Sequence, residues 1–435
     1  MVAQIQAIRG MNDILPPETY WWQYAENQVR RAFHGFGYQE IRFPIVERTE
    51  LFQRSIGDMT DIVEKEMYTF LDRNNESLTL RPEGTASCVR AALEHGLLHN
   101  QTQRLWYGGP YFRYERPQKG RYRQFYQYSA EVFGLPGADI EAELLVMASN
   151  LFEKLGIRSM VSLQINSLGS LESRKEHRKA LIEYLEKHHK SLDEDALKRL
   201  HTNPLRILDS KNPSMKSLIE HAPKLSNYWD KASREHFEKL QSILSQVGID
   251  YEVNSTLVRG LDYYNHTVFE WVTTHLGAQG TICAGGRYDG LVEQLGGKPT
   301  PAAGFAIGME RLILLLQQTE KHYPVDPLLH AYIITDSEEA YVAGLKLANY
   351  LRTKVPHLRL LIHCGGGNIK AQFKKADKSH AQYALVIGEH ELKKHSVTFK
   401  MLREDIPQQT FFYDELAEYL KLRITNKKLH EKNDR

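Results

Sequence analysis

The stretch RLWYGGPYFRYERPQKGRYRQFYQYSAEVFG, residues 104–134, decides the fold of the first part of this chain. Two aromatic-rich runs, 104–115 and 123–134, flank the polar, glycine-containing segment 116–122. Runs rich in aromatic residues on either side of a short polar loop predict a β-hairpin. The first part of the chain is therefore expected to be built on an antiparallel sheet.

The predicted hairpin carries an unusual density of arginine. Arg113, Arg116, Arg121 and Arg123 lie within or beside its loop, and Phe125 follows them. Four guanidinium groups repel one another unless an anion lies among them, and arginine presents a planar fork that suits phosphate oxygens. Phe125 offers a flat face for stacking a base. Three interpretations stay open: a nucleotide site, a site for RNA phosphates, or a solvated basic hairpin.

The segments around the hairpin predict an α+β domain. Helical spacing of apolar residues follows Pro16 and Pro17, strands are expected at 40–47 and 77–81, and Pro82 is expected to begin a helix. Pro44 suggests an edge or a bulge in the first of these strands. Strand-like, glycine-rich sequence occupies 251–308, and a helix is expected from Met309.

Three further segments differ from this domain in character. Residues 171–248 are charged, poor in strand formers and predict a helical insertion. After a credible linker at 322–327, strand and helix patterns alternate, which predicts a small α/β domain with a largely parallel core at 328–425. The polar segment from Lys421 to Arg435, which includes a basic tail at 426–435, is expected to fray.

The bulk properties exclude several classes of protein. The chain has 435 residues and a formal net charge of only +2, so any RNA contact must come from local basic patches. Cys88, Cys283 and Cys364 have no metal-ligand spacing, and no metal site or disulfide framework is expected. No signal peptide and no apolar run of about 18 residues is apparent, so no membrane association is expected. A reducing cytoplasm is the simplest location.

Three segments resemble the motifs of the class II aminoacyl-tRNA synthetases. GPYFRYERP at 109–117 with RYRQF at 121–125 is similar to motif 2, GFAIGMER at 304–311 to motif 3, and GYQEIRFP at 37–44 to motif 1. The motifs occur in the family order. The resemblance implies a class II antiparallel sheet flanked by helices (residues 1–170 and 249–322), a helical insertion at 171–248 and a C-terminal anticodon-binding domain at 328–425. It also implies a homodimer built through motif 1.

Two more segments resemble peptides that mark the histidyl members of that class. They are LVRGLDYY at 257–264 and AGGRYDGL at 284–291. Read without the family, the first is a turn with an internal ion pair and the second a tight loop before a helix. The resemblance implies ATP-dependent ligation of L-histidine to tRNA(His) through a histidyl-adenylate, with ATP and Mg²⁺ as substrate and no tightly bound cofactor.

The resemblance also implies roles for individual residues. Arg113 and Arg259 are expected to act catalytically at the α-phosphate, Arg259 taking the place of a metal ion. The remaining ATP-binding residues are Glu115, Arg121, Phe125 and Arg311. The histidine-binding residues are Glu83, Thr85, Arg113, Gln127, Glu131, Arg259, Tyr263, Tyr264 and Tyr288. Departures from the family pattern at Tyr126 and at 128–130 are expected to affect packing, because position 126 points away from Gln127.

The sequence indicates the RNA-contacting residues less clearly than the ATP- and histidine-binding residues. Arg116, Gln118 and Lys119 lie in the motif 2 loop, which in this family reaches the acceptor end of tRNA. In the C-terminal domain, Lys370 and Lys374 lie on a basic helix that either contacts RNA or is a solvated face.

A different class of function stays open. Some synthetase-like proteins keep the fold without catalysis, as a regulatory subunit in histidine biosynthesis or as a tRNA-sensing domain. Such proteins tend to lose residues matching Arg113, Arg259 or Arg311. All three are present here, together with a C-terminal domain of the right size, and this favours an enzyme. Threonyl, prolyl and glycyl specificities are disfavoured by the two histidyl peptides.

Overall fold

The computed structural model describes residues 4–57, 60–210, 212–277, 280–319 and 329–433, with the backbone alone at 209 and 425–433. The chain divides into two units, Met1–Lys321 and His322–Arg435. The predicted linker at 322–327 lies outside the described residues.

The first unit contains strands β1 to β11 and helices α1 to α10. The strands are β1 (Gln39–Glu40), β2 (Val46–Arg48), β3 (Tyr68–Leu71), β4 (Ser77–Leu80), β5 (Gln103–Phe112), β6 (Gln124–Phe133), β7 (Ser162–Ser167), β8 (Glu252–Val253), β9 (Asn265–Val272), β10 (Thr281–Arg287) and β11 (Ala302–Gly308). The helices are α1 (Glu18–Gly35), α2 (Thr49–Ile56), α3 (Thr85–Glu94), α4 (Ala138–Leu155), α5 (Leu171–Lys187), α6 (Glu194–Arg199), α7 (Lys216–Glu220), α8 (Lys231–Gln246), α9 (Leu291–Gln294) and α10 (Met309–Leu316).

The predicted hairpin is confirmed as the pair β5–β6, in which Gln103 lies opposite Phe133 and Phe112 opposite Gln124. Over the described residues the main sheet has the order β1-β5-β6-β11-β10-β9-β7-β8. The predicted antiparallel sheet is confirmed for its six central strands, whereas the outermost pairs, β1–β5 and β7–β8, are parallel. The motif 3 strand β11 therefore lies directly beside the motif 2 strand β6.

The strand predicted at 40–47 is wrong as one element. It is divided into β1, which pairs with β5, and β2, which pairs with β4 in a separate antiparallel sheet of order β2-β4-β3. Pro44 lies between the two pieces and has no N–H to donate to a ladder, so the chain changes sheets there.

The helix predicted from Pro82 begins later, at Thr85. The carboxylate of Glu83 accepts hydrogen bonds from the backbone N–H groups of Thr85 and Ala86, at 2.6 and 2.9 Å. These N–H groups have no partner within a helix, so a carboxylate just before the first turn satisfies them. Residues 82–84 therefore form an entry turn that aims Glu83 at the start of α3.

The described residues of 171–248 form helices and short 3-10 turns, without a strand. Leu181, Leu185, Ile207 and Met215 belong to a core of this segment's own. Helix α8 packs against α4, and Nε2 of His236 on α8 lies 2.9 Å from the carboxylate of Glu141 on α4. The packing thus joins α8 to the helical layer of the main sheet.

The second unit follows the predicted alternation of strands and helices. It contains β12 (Ala331–Thr335), α11 (Glu338–Lys354), β13 (Leu360–Ile362), α12 (Ile369–Lys378), β14 (Tyr383–Ile387), α13 (Glu389–Lys394), β15 (Ser396–Met401), β16 (Gln409–Phe412) and α14 (Tyr413–Asn433). The sheet order is β13-β12-β14-β15-β16. The predicted parallel core is confirmed for β13, β12 and β14, and β15 and β16 extend it as an antiparallel edge.

The polar tail is helical where its backbone is described, and its fraying stays a prediction. Helix α14 continues to Asn433. No proline or glycine occurs between 413 and 433, so nothing in the backbone chemistry of this stretch interrupts a helix. No helix within the described ranges has the length and apolarity needed to span a membrane.

Candidate active site

A cavity of about 240 Å³ opens on the main sheet where β6, β9, β10 and β11 lie side by side. Its walls are dominated by charged side chains. Those that line it are Arg113, Glu115, Arg121, Arg259, Glu270, Glu310 and Arg311, with Phe125 and Gln127 from β6. The structure thus brings the predicted ATP-binding residues to one place, although they come from segments almost 200 positions apart in the chain.

Arg113 follows the last residue of β5 and is held in position from two sides. Its Nε donates to the carbonyl oxygen of Pro82 at 2.8 Å, and its guanidinium lies 5.3 Å from the centre of the Phe125 ring. Burial lowers the pKa of Arg113, and the nearby carboxylates of Glu66 and Glu83 oppose that shift. The Nη groups therefore carry a partly desolvated positive charge at the mouth of the cavity.

Arg121 and Glu115 lie at the turn between the hairpin strands and form an ion pair. Residues 118 and 121 close this turn through reciprocal backbone hydrogen bonds of 2.9 Å. Glu115 also lies 4.0 Å from Nη1 of Arg113. The carboxylate thus orders two arginines along the hairpin.

Arg311, on the first turn of α10, fixes motif 3 against motif 2. Its Nε donates to the carbonyl of Gly120 at 3.0 Å and its Nη1 to the carbonyl of Thr281 at 2.8 Å. Burial lowers its pKa, and the positive charges of Arg121 and Arg113 lower it further. Arg311 thus lies in the positive field of two other arginines, and such a site favours an anion.

Arg259 enters the cavity from the segment before β9 and is ion-paired with Glu270 on that strand. The hydroxyl of Thr281 donates to the second carboxylate oxygen of Glu270 at 2.8 Å. Glu270 was not among the predicted site residues. The available signal was a single carboxylate inside the apolar strand NHTVFEWV, which requires a buried partner.

A second, more enclosed group of side chains lies beside the cavity around Glu131. Its carboxylate accepts hydrogen bonds from the hydroxyls of Thr85 at 2.9 Å, Tyr107 at 2.6 Å and Tyr288 at 2.5 Å. Burial raises the pKa of Glu131 to about 7, and the three hydroxyl donors oppose that rise. A buried carboxyl group with several donors is suited to bind a polar group inside an otherwise apolar pocket.

The tyrosines of the two histidyl-like peptides enclose this pocket. Tyr263, Tyr264 and Tyr288 are all buried. The Tyr263 ring centre lies 4.7 Å from that of Tyr264 and 5.6 Å from that of Tyr288. The guanidinium of Arg259 lies 5.9 Å from the centre of the Tyr264 ring. The pocket and the arginine-lined cavity therefore meet at Arg259 and Tyr264.

Two of the predicted histidine-binding residues, Glu83 and Thr85, lie at the start of α3. Glu83 is buried, burial raises its pKa, and it accepts the two N–H groups at the start of α3. The Thr85 hydroxyl donates to Glu131, and the Thr85 side chain also favours the charged form of Glu83, which lowers the pKa of that carboxyl group. Tyr107 was missed in the sequence, because its place beside Glu131 depends on the register in which Leu105 faces Glu131.

Two of the unusual residues of β6, Tyr126 and Tyr128, face the opposite side from Gln127. The Tyr126 ring lies 5.2 Å from that of Trp22 on α1, and the Tyr128 hydroxyl accepts a hydrogen bond of 3.1 Å from Arg30. The packing consequence predicted for these positions is therefore confirmed, since both side chains pack toward α1.

The predicted RNA contacts lie outside the cavity. Arg116, Gln118 and Lys119 are exposed on the motif 2 loop. In the second unit, Lys370 and Lys374 are exposed on α12, whose first turn is capped by the side chain of Asn368 through the N–H of Ala371 at 2.8 Å. The described side chains contain no group of three or more His, Cys, Asp or Glu able to hold a metal ion.

Comparisons with known proteins agree with this geometry. A family model described as histidyl-tRNA synthetase matches residues 10–312, and one described as an anticodon binding domain matches residues 330–423. The crystal structure of apo S. aureus histidyl-tRNA synthetase is 35% identical, with 96% of this chain and 100% of that chain covered and a TM-score of 0.81.

Two solved structures of lower identity show the fold alone. A histidyl-tRNA synthetase from Nostoc sp. is 21% identical over 97% of this chain and 100% of its own, with a TM-score of 0.67. A Bacillus halodurans protein described as an ATP phosphoribosyltransferase regulatory subunit/histidyl-tRNA synthetase is also 21% identical. It covers 89% of this chain and 99% of its own, with a TM-score of 0.63.

Proposed function

Since this chain belongs to the histidyl-tRNA synthetase family, we propose that it ligates L-histidine to the 3′ end of tRNA(His) through a histidyl-adenylate. The observation that carries the proposal is the junction of two sites at Arg259. An arginine-lined cavity suited to a polyphosphate meets a closed pocket with a buried carboxyl group suited to an imidazole. This is the arrangement that joining an amino acid to ATP requires.

ATP occupies the arginine-lined cavity. Arg121 and Arg311 bind the outer phosphates, Arg113 binds the α-phosphate, and Phe125 with Glu115 holds the adenine. The positive charges of Arg113 and Arg121 beside Arg311 support this, because an anion relieves their repulsion of Arg311. Mg²⁺ enters with the nucleotide, since it prefers one or two carboxylates plus substrate phosphates to a cage of protein ligands. No tightly bound cofactor is required.

Histidine occupies the pocket around Glu131. The Glu131 carboxyl and Tyr264 pair with the two imidazole nitrogens, and Tyr263, Tyr288 and Thr85 enclose the ring. Glu83 and Gln127 bind the α-ammonium. Because an unpaired buried donor or acceptor is costly, a pocket built this way rejects analogues that lack the ring nitrogens.

The chemistry requires no nucleophile from the protein. The histidine carboxylate attacks the α-phosphorus of ATP in line and pyrophosphate leaves, so catalysis consists of positioning and charge stabilisation. Arg113 and Arg259 lie on the two sides of the reacting groups and offset the charge that develops on the α-phosphate. Glu270 positions Arg259 through their ion pair.

In the second step the 3′-terminal ribose hydroxyl of tRNA attacks the histidyl carbonyl and AMP leaves. The exposed motif 2 loop, with Arg116, Gln118 and Lys119, contacts the acceptor end. The exposed lysines of α12, Lys370 and Lys374, contact the anticodon arm. The match of residues 330–423 to an anticodon binding domain supports the assignment of α12 to the anticodon arm.

The enzyme is a homodimer that functions in the cytoplasm. Ile45, Val46, Phe70 and Leu71 are exposed around the three-stranded sheet that follows motif 1, and a second copy of the chain would bury them. The cytoplasm is supported by Cys88, Cys283 and Cys364, all of which are free thiols.

The test is charging of tRNA(His) with labelled histidine by the wild type and by Arg259→His, with titration calorimetry of both for histidine and ATP. The variant is expected to bind both ligands and to form adenylate on the order of 100-fold more slowly. Near-normal activation by Arg259→His overturns the role of Arg259. If the wild type binds tRNA but charges none, the chain is instead a regulatory or tRNA-sensing relative.

A further inference from the structure

A short N-terminal segment, residues 8–14, packs on the motif 2 hairpin. Gly10 in this segment is buried, whereas residues 4–9, Asn12 and Asp13 are exposed to solvent. The segment therefore adds little apolar area to the core of the domain. Gly10 is the point at which an otherwise exposed stretch of chain is attached to the hairpin.

The backbone of Gly10 is hydrogen-bonded to the chain that leaves the motif 2 turn. Its carbonyl oxygen accepts the N–H groups of Arg123 and Gln124, at 2.7 and 3.2 Å. Nη1 of Arg123 also donates to the carbonyl of Arg9 at 3.5 Å, and its guanidinium lies 3.9 Å from the centre of the Tyr114 ring. These contacts fix the second strand of the hairpin at its first residues.

Arg123 connects Gly10 to the arginines of the ATP site. Its carbonyl accepts the N–H of Arg113 at 2.9 Å, and its Nε donates to the carbonyl of Glu115 at 3.2 Å. The carboxylate of Glu115 is the one that pairs with Arg121. Two hydrogen bonds in series thus join Gly10 to the backbone of Arg113, and a parallel path leads to the pair of Glu115 and Arg121.

A side chain at position 10 would collide with the hairpin. An added Cβ would lie 2.8 Å from Cγ of Pro117 and 3.0 Å from Cγ of Arg123. The ring of Pro117 cannot rotate away from such a contact, so the chain that carries it would have to move. Pro117 precedes and Arg123 follows the turn that residues 118 and 121 close, so a substituent at Gly10 would displace both ends of that turn.

Arg311 supplies a second attachment for the turn, because its Nε donates to the carbonyl of Gly120 at 3.0 Å. Arg311 lines the arginine-lined cavity, so its contact with the turn can change when a nucleotide enters. Gly10 does not line that cavity, and its bonds to the hairpin are made by backbone atoms. The attachment at Gly10 therefore does not depend on the ligand.

We propose that Gly10 is a positioning residue for ATP binding, whose backbone holds the motif 2 turn where Arg113 and Arg121 meet the polyphosphate. The inference rests on the proposed function and adds to it a residue outside the three class II motifs. Gly10 acts only through the backbone of the hairpin. The histidine pocket around Glu131 lies farther along β6 and is affected much less.

The experiment compares full-length Gly10→Ala with Gly37→Ala. The two glycines have φ values of +87° and +79°, but a Cβ added at Gly37 meets no atom within 4 Å. Both variants therefore carry a similar backbone strain, and only Gly10→Ala places a methyl group against the hairpin. Pyrophosphate exchange gives the KM values for ATP and histidine. Titration calorimetry with α,β-methylene-ATP measures nucleotide binding without reaction, and urea denaturation measures stability.

Gly10→Ala is expected to raise the KM for ATP and the Kd for the analogue about tenfold, because a small displacement of positioning groups is costly. Its KM for histidine, and all these constants for Gly37→Ala, should stay within about twofold of the wild type. A purely structural role would lower the denaturation midpoint without separating the two KM values. An unchanged KM for ATP, or equal rises for ATP and histidine, overturns the proposal.

Two further results are decisive. If Gly10→Ala does not fold, Arg123→Lys is measured in the same way, since lysine keeps the charge but lacks the fork that reaches the carbonyls of Arg9 and Glu115. A wild-type KM for ATP in that variant overturns the proposal. If the wild type binds the analogue but shows no exchange with histidine, the proposed function has failed, and the Kd values for the analogue still test the role of Gly10.

Discussion

Gly304 on β11 lies directly opposite Glu131 on β6, and a side chain at position 304 would occupy the space of the Glu131 carboxyl group. The absence of a side chain at Gly304, in motif 3, therefore leaves the space that the Glu131 carboxyl group occupies in the pocket. This relationship links the nucleotide motif to the amino-acid pocket through a single strand pair.

Replacing Gly304 with alanine should displace Glu131 and separate it from its hydroxyl partners. Loss of a hydrogen bond to a charged group costs about 1.5–3 kcal/mol, so the KM for histidine should rise roughly 10- to 100-fold. The KM for ATP should change much less. Pyrophosphate exchange measures both constants. Gly35→Ala, where an added Cβ meets open space, is the control. Equal loss for both substrates would contradict this account.

Tyr107 should contribute to histidine binding, although the sequence did not reveal it. Its hydroxyl donates to Glu131 at 2.6 Å, so Tyr107→Phe should raise the KM for histidine about tenfold. Tyr111 is a matched control: it is buried on the same strand, and its hydroxyl has no hydrogen-bond partner among the described residues. Similar kinetics for Tyr107→Phe and Tyr111→Phe would refute a specific role for the Tyr107 hydroxyl.

The carboxyl group of Glu310 makes stability depend on pH. Burial raises its pKa from 4.5 to about 7, and it accepts the N–H of Tyr126 at 2.9 Å. The fold therefore favours the protonated form, and this contribution is present below about pH 4.5 and is lost as the pH rises through 7. Glu310→Gln stays neutral and keeps the accepting oxygen.

The free energy of unfolding of Glu310→Gln should therefore improve relative to the wild type between pH 5 and 8, by about 3 kcal/mol at most. Urea denaturation at several pH values measures the difference. A difference that is constant across this range would show that Glu310 is already ionised in the fold.

Arg287 lies in the second histidyl-like peptide but has a structural role. It is 1% exposed, pairs with the buried Glu141, and donates to the carbonyl of Gly137 at 3.0 Å and to Asp289 at 3.0 Å. Breaking such a buried pair costs about 3–5 kcal/mol, because the remaining charge loses its partner. Arg287→Met should lower the free energy of unfolding by this amount.

Arg42→Met tests whether that loss is specific. Arg42 forms an exposed ion pair with Glu40, and its side chain is 78% accessible to solvent. Exposed pairs contribute little, so the control should unfold nearly as the wild type does. Comparable destabilisation by both variants in the same denaturation experiment would argue against a buried network around Glu141.

Local sequence patterns were enough to predict the elements in which the spacing of apolar residues agrees with the turn-forming residues at both ends. The β5–β6 hairpin, the insertion helices and the alternating second unit all follow from spacing within a few residues. The strand expected at 40–47 failed because Pro44 divides two sheets, and a proline alone does not tell which strand each half joins. The helix to Asn433 was missed because polarity was weighed above the absence of helix breakers.

The motifs name residues such as Arg113, Arg259 and Arg311, and the structure brings these three to one cavity. The site was not predictable where a role depends on register or on long-range pairing. Tyr107 is brought to Glu131 by the pairing of β5 with β6, and Glu270 is recognised only once Arg259 lies beside it. The hydrogen bond from the Thr85 hydroxyl to Glu131 likewise joins two segments that are distant in the sequence.

Histidine specificity is tested most directly by ATP–pyrophosphate exchange of the purified wild-type protein with each amino acid supplied in turn. Exchange is expected with histidine and should be several orders of magnitude lower with every other amino acid, because the proposed pocket around Glu131 pairs both imidazole nitrogens. Exchange that is stronger with another amino acid, or no exchange with any, would contradict this expectation.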